Sequence, residues 1–336
     1  MRVGYSILTL LLCLSIAAGT QAPPGWRDPS PHKVQFVTVE PGVQLEVLDW
    51  GGSGRPLVML AGAGCTAHIY DELAPALTAW GHIYGITRRG AGASGRPGKV
   101  RDYKEERLAQ DVIEVIRALH LKTPVLIGHS MAGGEMALVA DQYSDALSGL
   151  IFLDAAGDPK DWPGNDAAYM ALYNQLPEGA RREPEATDSD RRSFQSYSAW
   201  ARRAGKVVFP ESELRNTRET NPDGSIGNYT ITPGAWDAMG KGAVKRDYSK
   251  ITVPILALFP GPAKQRKYEP INATERAAFD AFDAATLAYV NRWKKNLQTA
   301  PGGLHIVDIP GADHYIFLSN PAEVLRETEA FLKQLH

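Results

Sequence analysis

The chain has 336 residues, of which 44% are hydrophobic and 22% charged. This composition excludes a disordered, collagen-like or disulfide-scaffold chain. Its 36 basic and 38 acidic residues leave a formal net charge of -2, so no strong electrostatic field would draw it to nucleic acid or to anionic lipid. We expect a globular protein with a large core and no nucleic-acid partner.

The N-terminal segment has the pattern of a signal peptide. Arg2 is followed by a twelve-residue run, 7–18, that is apolar except for Thr9 and Ser15, and then by small residues up to Ala22. Twelve helical residues span about 18 Å, short of a bilayer core of about 30 Å. We therefore predict a signal peptide at 1–22 and a secreted or periplasmic protein without a stable membrane anchor; the alternative is an uncleaved N-terminal anchor. After cleavage Cys65 would be the one remaining cysteine, which leaves no internal disulfide.

The sequence that follows predicts an extended segment and then the strands of a sheet. Residues 23–32 are rich in proline and polar side chains, which favours an extended lead-in. Alternating apolar residues at 33–40 and 43–51, split by Pro41-Gly42, predict an antiparallel hairpin. Continuous apolar runs, typical of buried parallel strands, follow at 56–62, 82–87, 124–129, 147–156, 253–261 and 304–311.

Helical patterns separate these runs. They lie at 71–80, 104–120, 131–143, 273–298 and 321–335. Alternation of strands and helices predicts a three-layer α/β fold with a mostly parallel sheet. The sequence carries no signal for an oligomeric state.

One interval interrupts the alternation. Residues 157–250 separate two predicted strands and mix charge-dense stretches with Trp162, Trp200 and Trp236. Because a structureless loop of this length is uncommon in a compact domain, we predict short helices that form a cap or lid over the sheet edge. The core would then comprise 33–156 and 251–336. A partly disordered insertion is the alternative.

A candidate nucleophile lies where the strand predicted at 124–129 meets the next helix. The sequence there is Gly128-His129-Ser130-Met131-Ala132-Gly133, a form of the G-x-S-x-G nucleophile elbow in which Ala132 replaces the second glycine. A turn of this kind projects the serine hydroxyl above the sheet. The pattern predicts that Ser130 is a catalytic nucleophile.

Three further segments complete a resemblance to the α/β-hydrolase superfamily. They are LAGAG at 60–64, TRRGAGASGRP at 87–97 and GADHYIFLSNPAEV at 311–324. With the elbow, they resemble in order the superfamily's oxyanion loop, its Arg-Gly segment and its histidine loop. The resemblance extends from Lys33 to His336 and implies a three-layer hydrolase fold with a Ser-His-acid triad.

A serine nucleophile needs a base within hydrogen-bond reach. We expect His314 to be this base because it follows the last strand, and loops at the carboxyl ends of parallel strands converge on one edge. His129 should turn its ring away from the Ser130 hydroxyl. We expect packing or structural roles for His68 and His305.

The acid is harder to assign. The superfamily usually places it after the seventh strand, but here no carboxylate follows that strand until Glu269. Asp154 ends the preceding strand, at a position that some lipase-like members use, and burying it needs a partner such as an imidazole. We favour Asp154, with Asp158 and Glu269 as rivals and a capping role as the alternative. Asp313 lies too near His314 in sequence.

The resemblance also implies an oxyanion hole made by the backbone N–H groups of Ala63 and Met131. Cys65 has neither an elbow nor a base near it in sequence, so we interpret it as a small buried thiol. We expect structural roles for Arg88, Arg89 and Glu135, in which a charge in the loop after the fourth strand pairs with an acid on the first turn of the helix after Ser130.

These residues together predict a serine hydrolase acting on a small-molecule ester or similar acyl compound, with a mostly apolar pocket covered by Trp and Tyr side chains. Serine at the elbow argues against relatives that need aspartate there. We find no pattern for a metal or a cofactor. The alternatives are a cofactor-free haloperoxidase or C–C hydrolase using the same triad, or a ligand-binding protein that has lost turnover.

Overall fold

The computed structural model describes residues 26–182, 184–232, 234–261 and 268–335. The predicted signal peptide and residues 23–25 of the lead-in lie outside the described residues. Within the described ranges, no helix is both long enough and apolar enough to cross a membrane.

Ten strands are present in the described residues. They are β1 (Lys33–Glu40), β2 (Val43–Gly51), β3 (Pro56–Leu60), β4 (His82–Ile86), β5 (Val125–His129), β6 (Gly149–Leu153), β7 (Arg218–Thr220), β8 (Ile226–Tyr229), β9 (Ile255–Pro260) and β10 (Leu304–Ile309).

The α-helices of the same ranges vary from single turns to one long helix. They are α1 (Ala74–Leu77), α2 (Glu105–Ala118), α3 (Ala132–Tyr143), α4 (Ala167–Gln175), α5 (Glu178–Arg181), α6 (Asp188–Arg191), α7 (Phe194–Arg203), α8 (Glu211–Thr217), α9 (Ala235–Lys241), α10 (Ala273–Leu297), α11 (Ile316–Ser319) and α12 (Pro321–Leu332).

The main sheet has eight strands in the order β1-β2-β4-β3-β5-β6-β9-β10. The pairs β1–β2 and β2–β4 are antiparallel, and the pairs from β4 to β10 are parallel. The chain moves from β3 to β4 on one side and then to β5 on the other. This reversal opens a crevice at the carboxyl ends of β3 and β5, where α/β sheets bind ligands.

Two hydrophobic clusters cover the two faces of the sheet. Alternate residues of each central strand enter different clusters, so Val58 packs with α2 and α3 while Met59 packs with α11 and α12. Strands β5 and β6 are buried along their whole length, as their continuous apolar sequences predict. These features confirm the three-layer α/β-hydrolase fold expected from the sequence.

The helix predicted at 71–80 is wrong as a single element. A 3₁₀ helix occupies Ala67–Tyr70, and α1 covers only Ala74–Leu77 with Pro75 in its first turn. Proline lacks an N–H donor and its ring clashes with the carbonyl four residues earlier, so it is tolerated only at a helix start. Pro75 therefore divides the segment.

Between β6 and β9 the chain forms α4 to α9 and the small antiparallel sheet β7–β8. We call residues 157–250 the inserted segment. Part of it packs on α10: the Tyr169 and Thr286 hydroxyls are 3.1 Å apart, and Trp162 stacks on Trp293. The long helix α10 thus supports the inserted segment, which its sequence alone did not indicate.

Candidate active site

Ser130 is held in a strained conformation at the turn between β5 and α3. Its φ of +53° lies in the left-handed region, which costs a non-glycine residue about 1 to 3 kcal/mol. A Cβ built on Gly133 would lie 1.7 Å from the Ala155 carbonyl oxygen, whereas Ala132 is fully buried without hindrance. Glycine is therefore required at 133 rather than at 132, which explains the altered elbow sequence.

Asp154 leaves the sheet beside Ser130. His129 of β5 and Leu153 of β6 are register partners, so the residues that follow them emerge at the same level of adjacent parallel strands. The φ of Asp154 is also positive, +47°, a conformation that aspartate tolerates better than most residues.

His314 lies between these two side chains. Its Nδ1 is 2.6 Å from Asp154 Oδ2 and its Nε2 is 3.0 Å from Ser130 Oγ. Since an ionised carboxylate accepts hydrogen bonds only, Nδ1 carries the proton and Nε2 is free to accept from the serine hydroxyl. The structure thus brings Ser130, His314 and Asp154 into one hydrogen-bonded chain.

The rival carboxylates lie elsewhere. Asp158 accepts the Lys160 N–H at 2.9 Å and caps a 3₁₀ turn at the start of the inserted segment. Glu269 is exposed. The Asp313 N–H is bonded to the Ser319 hydroxyl at 3.0 Å. Among the described carboxylates, Asp154 is the one bonded to His314.

The loop after β3 lies against the elbow. A Cβ on Gly62 would be 3.2 Å from Ser130 Cβ and 2.6 Å from His129 Nδ1, so only glycine permits this approach. Met131 is the N-cap residue of α3, where the helix dipole favours negative charge. In the described ranges neither the Ala63 N–H nor the Met131 N–H has a hydrogen-bond acceptor.

Arg88 joins this loop to α3. Its guanidinium donates to the carbonyls of Ala61 at 2.9 Å and Gly62 at 3.2 Å, and to Glu135 Oε1 at 2.6 Å. Arg88 is therefore the arginine of this loop that pairs with Glu135, whereas Arg89 bonds Asp111. Burial raises the pKa of Glu135 to about 6, and the charge of Arg88 opposes that rise.

His129 supports the backbone of His314. Its Nε2 is 3.0 Å from the His314 carbonyl oxygen, to which only an N–H can donate, so its Nδ1 is unprotonated and has no partner among the described residues. Burial, together with the nearby His314, lowers the pKa of His129 well below its usual value. His129 therefore stays neutral and faces His314 rather than the Ser130 hydroxyl.

Sequence reasoning missed Glu213. This fully buried residue of α8 accepts hydrogen bonds from Thr66 N–H at 3.1 Å and from Thr66 Oγ1. Burial raises the pKa of Glu213 to about 7, although the Thr66 bonds oppose the change. Burial of Cys65, and after it the charge of Glu213, raise the pKa of the Cys65 thiol, so Cys65 remains a buried thiol. The inserted segment has no motif that could have pointed to Glu213.

The cover of the site by Trp and Tyr side chains stays a prediction, because Trp162 and Trp200, the tryptophans of the inserted segment with described side chains, have their ring contacts elsewhere. Trp162 stacks on Trp293 and is 55% exposed, and Trp200 packs on Tyr197. Phe209 of the inserted segment contacts Tyr315, the residue that follows His314. The cover of the site therefore depends on tertiary packing that aromatic content does not reveal.

Residues 57–327 match the sequence profile of the Alpha/beta hydrolase family. The chain belongs to this family. A bifunctional epoxide hydrolase 2 of Sus scrofa is 30% identical over 172 residues, which cover 48% of this chain and 31% of the relative. A non-heme haloperoxidase of Rhodococcus erythropolis is 34% identical over 103 residues, covering 30% of this chain and 36% of the relative. The matches thus span only about a third of these relatives' lengths.

Solved structures agree on the fold. The crystal structure of E-2-(acetamidomethylene)succinate hydrolase superposes with a TM-score of 0.63 over 90% of this chain and 99% of that chain, at 20% identity. The solved structures and the family match therefore agree on the α/β-hydrolase fold.

Proposed function

We propose that this protein is a serine hydrolase that cleaves a carboxylic ester or a similar acyl compound through an acyl-enzyme. The observation that carries the proposal is the hydrogen-bonded chain from Ser130 through His314 to Asp154, at distances of 3.0 and 2.6 Å. A hydroxyl becomes a competent nucleophile when a base within this reach removes its proton.

In the proposed mechanism Ser130 Oγ attacks the acyl carbonyl while His314 Nε2 takes the hydroxyl proton. Asp154 holds the imidazole in the required tautomer and stabilises its positive charge. The N–H groups of Ala63 and Met131 bind the oxyanion, and His314 returns the proton to the leaving group. Water then attacks the acyl-enzyme while His314 Nε2 takes a proton from it. His314 returns this proton to Ser130 Oγ, which releases the acid and restores Ser130.

The surroundings favour a small, mostly apolar substrate. A small cavity beside the oxyanion loop is bordered by Gly64 and Cys65, by residues 88–91, which include Arg88 and Arg89, and, from the inserted segment, by Ile231, Ala235 and Met239. The two guanidinium groups are bonded to the carboxylates of Glu135 and Asp111, so the apolar part of the lining comes from the inserted segment. Apolar walls with few polar groups are typical of sites for small organic molecules. The side chains of Ile231, Ala235 and Met239 favour a short acyl chain on that side of the cavity.

A cofactor-free haloperoxidase is the second candidate, and the similarity to the Rhodococcus erythropolis enzyme favours it. It would use the same serine, so mutation of Ser130 does not separate the two. A C–C hydrolase would also use this triad. The three activities can be separated by measuring rates with p-nitrophenyl acetate, with peroxide and bromide, and with a C–C substrate. We expect the ester to be turned over fastest.

The decisive test is the Ser130→Ala variant. The wild-type protein should hydrolyse p-nitrophenyl acetate and react with a fluorophosphonate probe, and the variant should do neither. Ser148→Ala is a matched control, because the Ser148 hydroxyl only bonds the Thr123 carbonyl, and it should keep full activity. A wild-type protein without turnover and without labelling would instead be a ligand-binding member of the fold.

We also propose that the protein is exported, on the strength of its N-terminal sequence pattern. Expression in a host with a secretion pathway should yield a mature chain that begins after a residue between Ala18 and Ala22. N-terminal sequencing of protein from outside the cytoplasm measures this directly. A mature chain that starts at Met1 would contradict the proposal.

A further inference from the structure

A second polar cluster lies outside the triad, around the 3₁₀ helix Ala67–Tyr70. One oxygen or nitrogen atom from each of Asp28, His32, His68 and Asp71 lies within 4.8 Å of the others. Two of these residues come from the lead-in and two from the segment that follows the oxyanion loop. The proposed hydrolysis uses none of them.

The distances in the cluster resemble those around a tetrahedral ion. Asp71 Oδ1 is 2.8 Å from His32 Nδ1, and His68 Nδ1 is 3.1 Å from Asp71 Oδ2 and 3.4 Å from Asp28 Oδ2. An ion with bonds of about 2.1 Å to four tetrahedral ligands places those ligands roughly 3.4 Å apart. Small side-chain adjustments would therefore suffice to bind an ion at the centre.

The surrounding groups form the outer shell that such an ion needs. Glu46 Oε1 is 3.6 Å from His68 Nε2, and Glu46 Oε2 is buried without a partner in the described part of the chain. A carboxylate behind a histidine is the usual device for orienting a metal-bound imidazole. Asp71 is oriented in the same way, by Ser212 Oγ at 2.6 Å and Trp50 Nε1 at 3.2 Å.

Charge points to a cation as well. Three carboxylates, those of Asp28, Asp71 and Glu46, surround two imidazoles, and imidazoles are neutral when they bind a metal. A divalent cation bound between these groups would offset most of the negative charge of the three carboxylates.

We propose that Asp28, His32, His68 and Asp71 bind one divalent transition-metal ion, Zn²⁺ being the ion that best suits two imidazoles and two carboxylates. Ca²⁺ and Mg²⁺ prefer six or more oxygen ligands or several waters. All four tetrahedral positions are filled by protein, which is typical of a structural site. The side chains of His32, His68 and Asp71 are 4 to 5% exposed and that of Asp28 is 22% exposed, so the ion enters past Asp28.

The ion would connect three parts of the chain. It ties the lead-in to the segment after the oxyanion loop, and Ser212 extends the contact to α8. The neighbouring Glu213 bonds Thr66 at the end of the same loop. The metal thus stabilises the surroundings of the active site without touching the reacting atoms.

Calorimetric titration of chelator-treated full-length protein with zinc sulfate tests the proposal. We expect one Zn²⁺ per chain and a rise in Tm of about 5 °C when free Zn²⁺ exceeds its dissociation constant about a hundredfold. His32→Asn keeps a hydrogen-bond donor near Asp71 but removes a ligand, and should weaken binding at least 100-fold. His82→Asn is the matched control: His82 contacts a single carboxylate, Asp49, at 2.8 Å, and its loss should leave Zn²⁺ binding unchanged.

Asp28→Asn provides a second variant at a more exposed ligand, should His32→Asn fail to fold. Ser130→Ala should bind Zn²⁺ like the wild type, so the metal site and the proposed hydrolysis succeed or fail separately. The absence of Zn²⁺ binding to the wild-type protein, or unchanged binding in folded Asp28→Asn or His32→Asn, would overturn the proposal.

Discussion

Arg88 and Glu135 form a buried ion pair in which Nη2 and Oε1 are 2.6 Å apart. The same guanidinium holds the carbonyls of Ala61 and Gly62. The pair therefore connects the helix that follows the nucleophile to the loop that would supply half of the oxyanion hole. Loss of this ion pair should therefore lower the rate of reaction as well as the stability of the fold.

Arg88→Lys should lower kcat for p-nitrophenyl acetate about 100-fold, because a single ammonium cannot hold two carbonyls and a carboxylate and a small displacement of the loop is costly. KM should change little. Arg89→Lys is the control: Arg89 is equally buried but bonds Asp111 instead of the loop, so stability should fall while kcat stays near the wild-type value. Equal losses of kcat in both variants would contradict this role.

Asp154→Asn should reduce kcat about 10⁴-fold, as expected when a triad aspartate can no longer hold the correct imidazole tautomer. Asp158→Asn and Glu269→Gln, at the two rival carboxylates, should each cost less than tenfold. Steady-state kinetics of the three variants measure this. A loss below tenfold in Asp154→Asn, with a large loss in either rival, would assign the acid elsewhere.

Gly62→Ala should lower kcat about 100-fold, since its Cβ would lie 2.6 Å from His129 Nδ1 and displace the loop that would supply an oxyanion donor in the proposed mechanism. Gly98→Ala adds the same atom where nothing lies within 4 Å and should leave the rate unchanged. Fluorophosphonate labelling rates, compared with kcat, reveal whether the hole or the nucleophile was affected. A Gly62→Ala enzyme with normal kcat would show that this loop does not bind the oxyanion.

Glu213→Gln should change how stability depends on pH. The pKa of Glu213 is about 7 in the folded protein and 4.5 in the unfolded reference, so the folded state binds more protons between these values. The contribution of Glu213 to stability is complete below pH 4.5 and is lost as pH rises through about 7. The variant avoids this loss and should be more stable than the wild type at pH 8 by on the order of 3 kcal/mol, with little difference at pH 4.

Urea unfolding at both pH values measures the effect. Glu211→Gln, on the same helix with a side chain 25% exposed and paired with Arg215, is the control and should change the free energy of unfolding by less than about 1 kcal/mol at either pH. A Glu213→Gln protein that loses stability at pH 8 would mean that the charged form is favoured by its Thr66 bonds.

The sequence by itself determined which segments form the strands of the main sheet, in their order along the chain, and the burial of the central strands. It also determined the position of Ser130. Continuous apolar runs, glycines around a serine and a turn at Pro41-Gly42 are local patterns, and local patterns depend on neighbours in the chain. The same reasoning reduced the acid to Asp154, Asp158 and Glu269. Sequence reasoning could not choose among these three carboxylates on physical grounds, because a carboxylate is buried beside an imidazole only when two distant segments of the chain meet.

Tertiary structure decided what depends on such distant contacts. The register of β5 against β6 places Asp154 level with Ser130, and the loop after β10 brings His314 between them. In the proposed metal site, Asp28 and His32 are four residues apart and His68 and Asp71 are three apart. These two pairs and Glu213 come together only when the lead-in and α8 pack around one short 3₁₀ helix. Sequence periodicity specifies elements, whereas the sites arise where loops from different elements converge on one edge of the sheet.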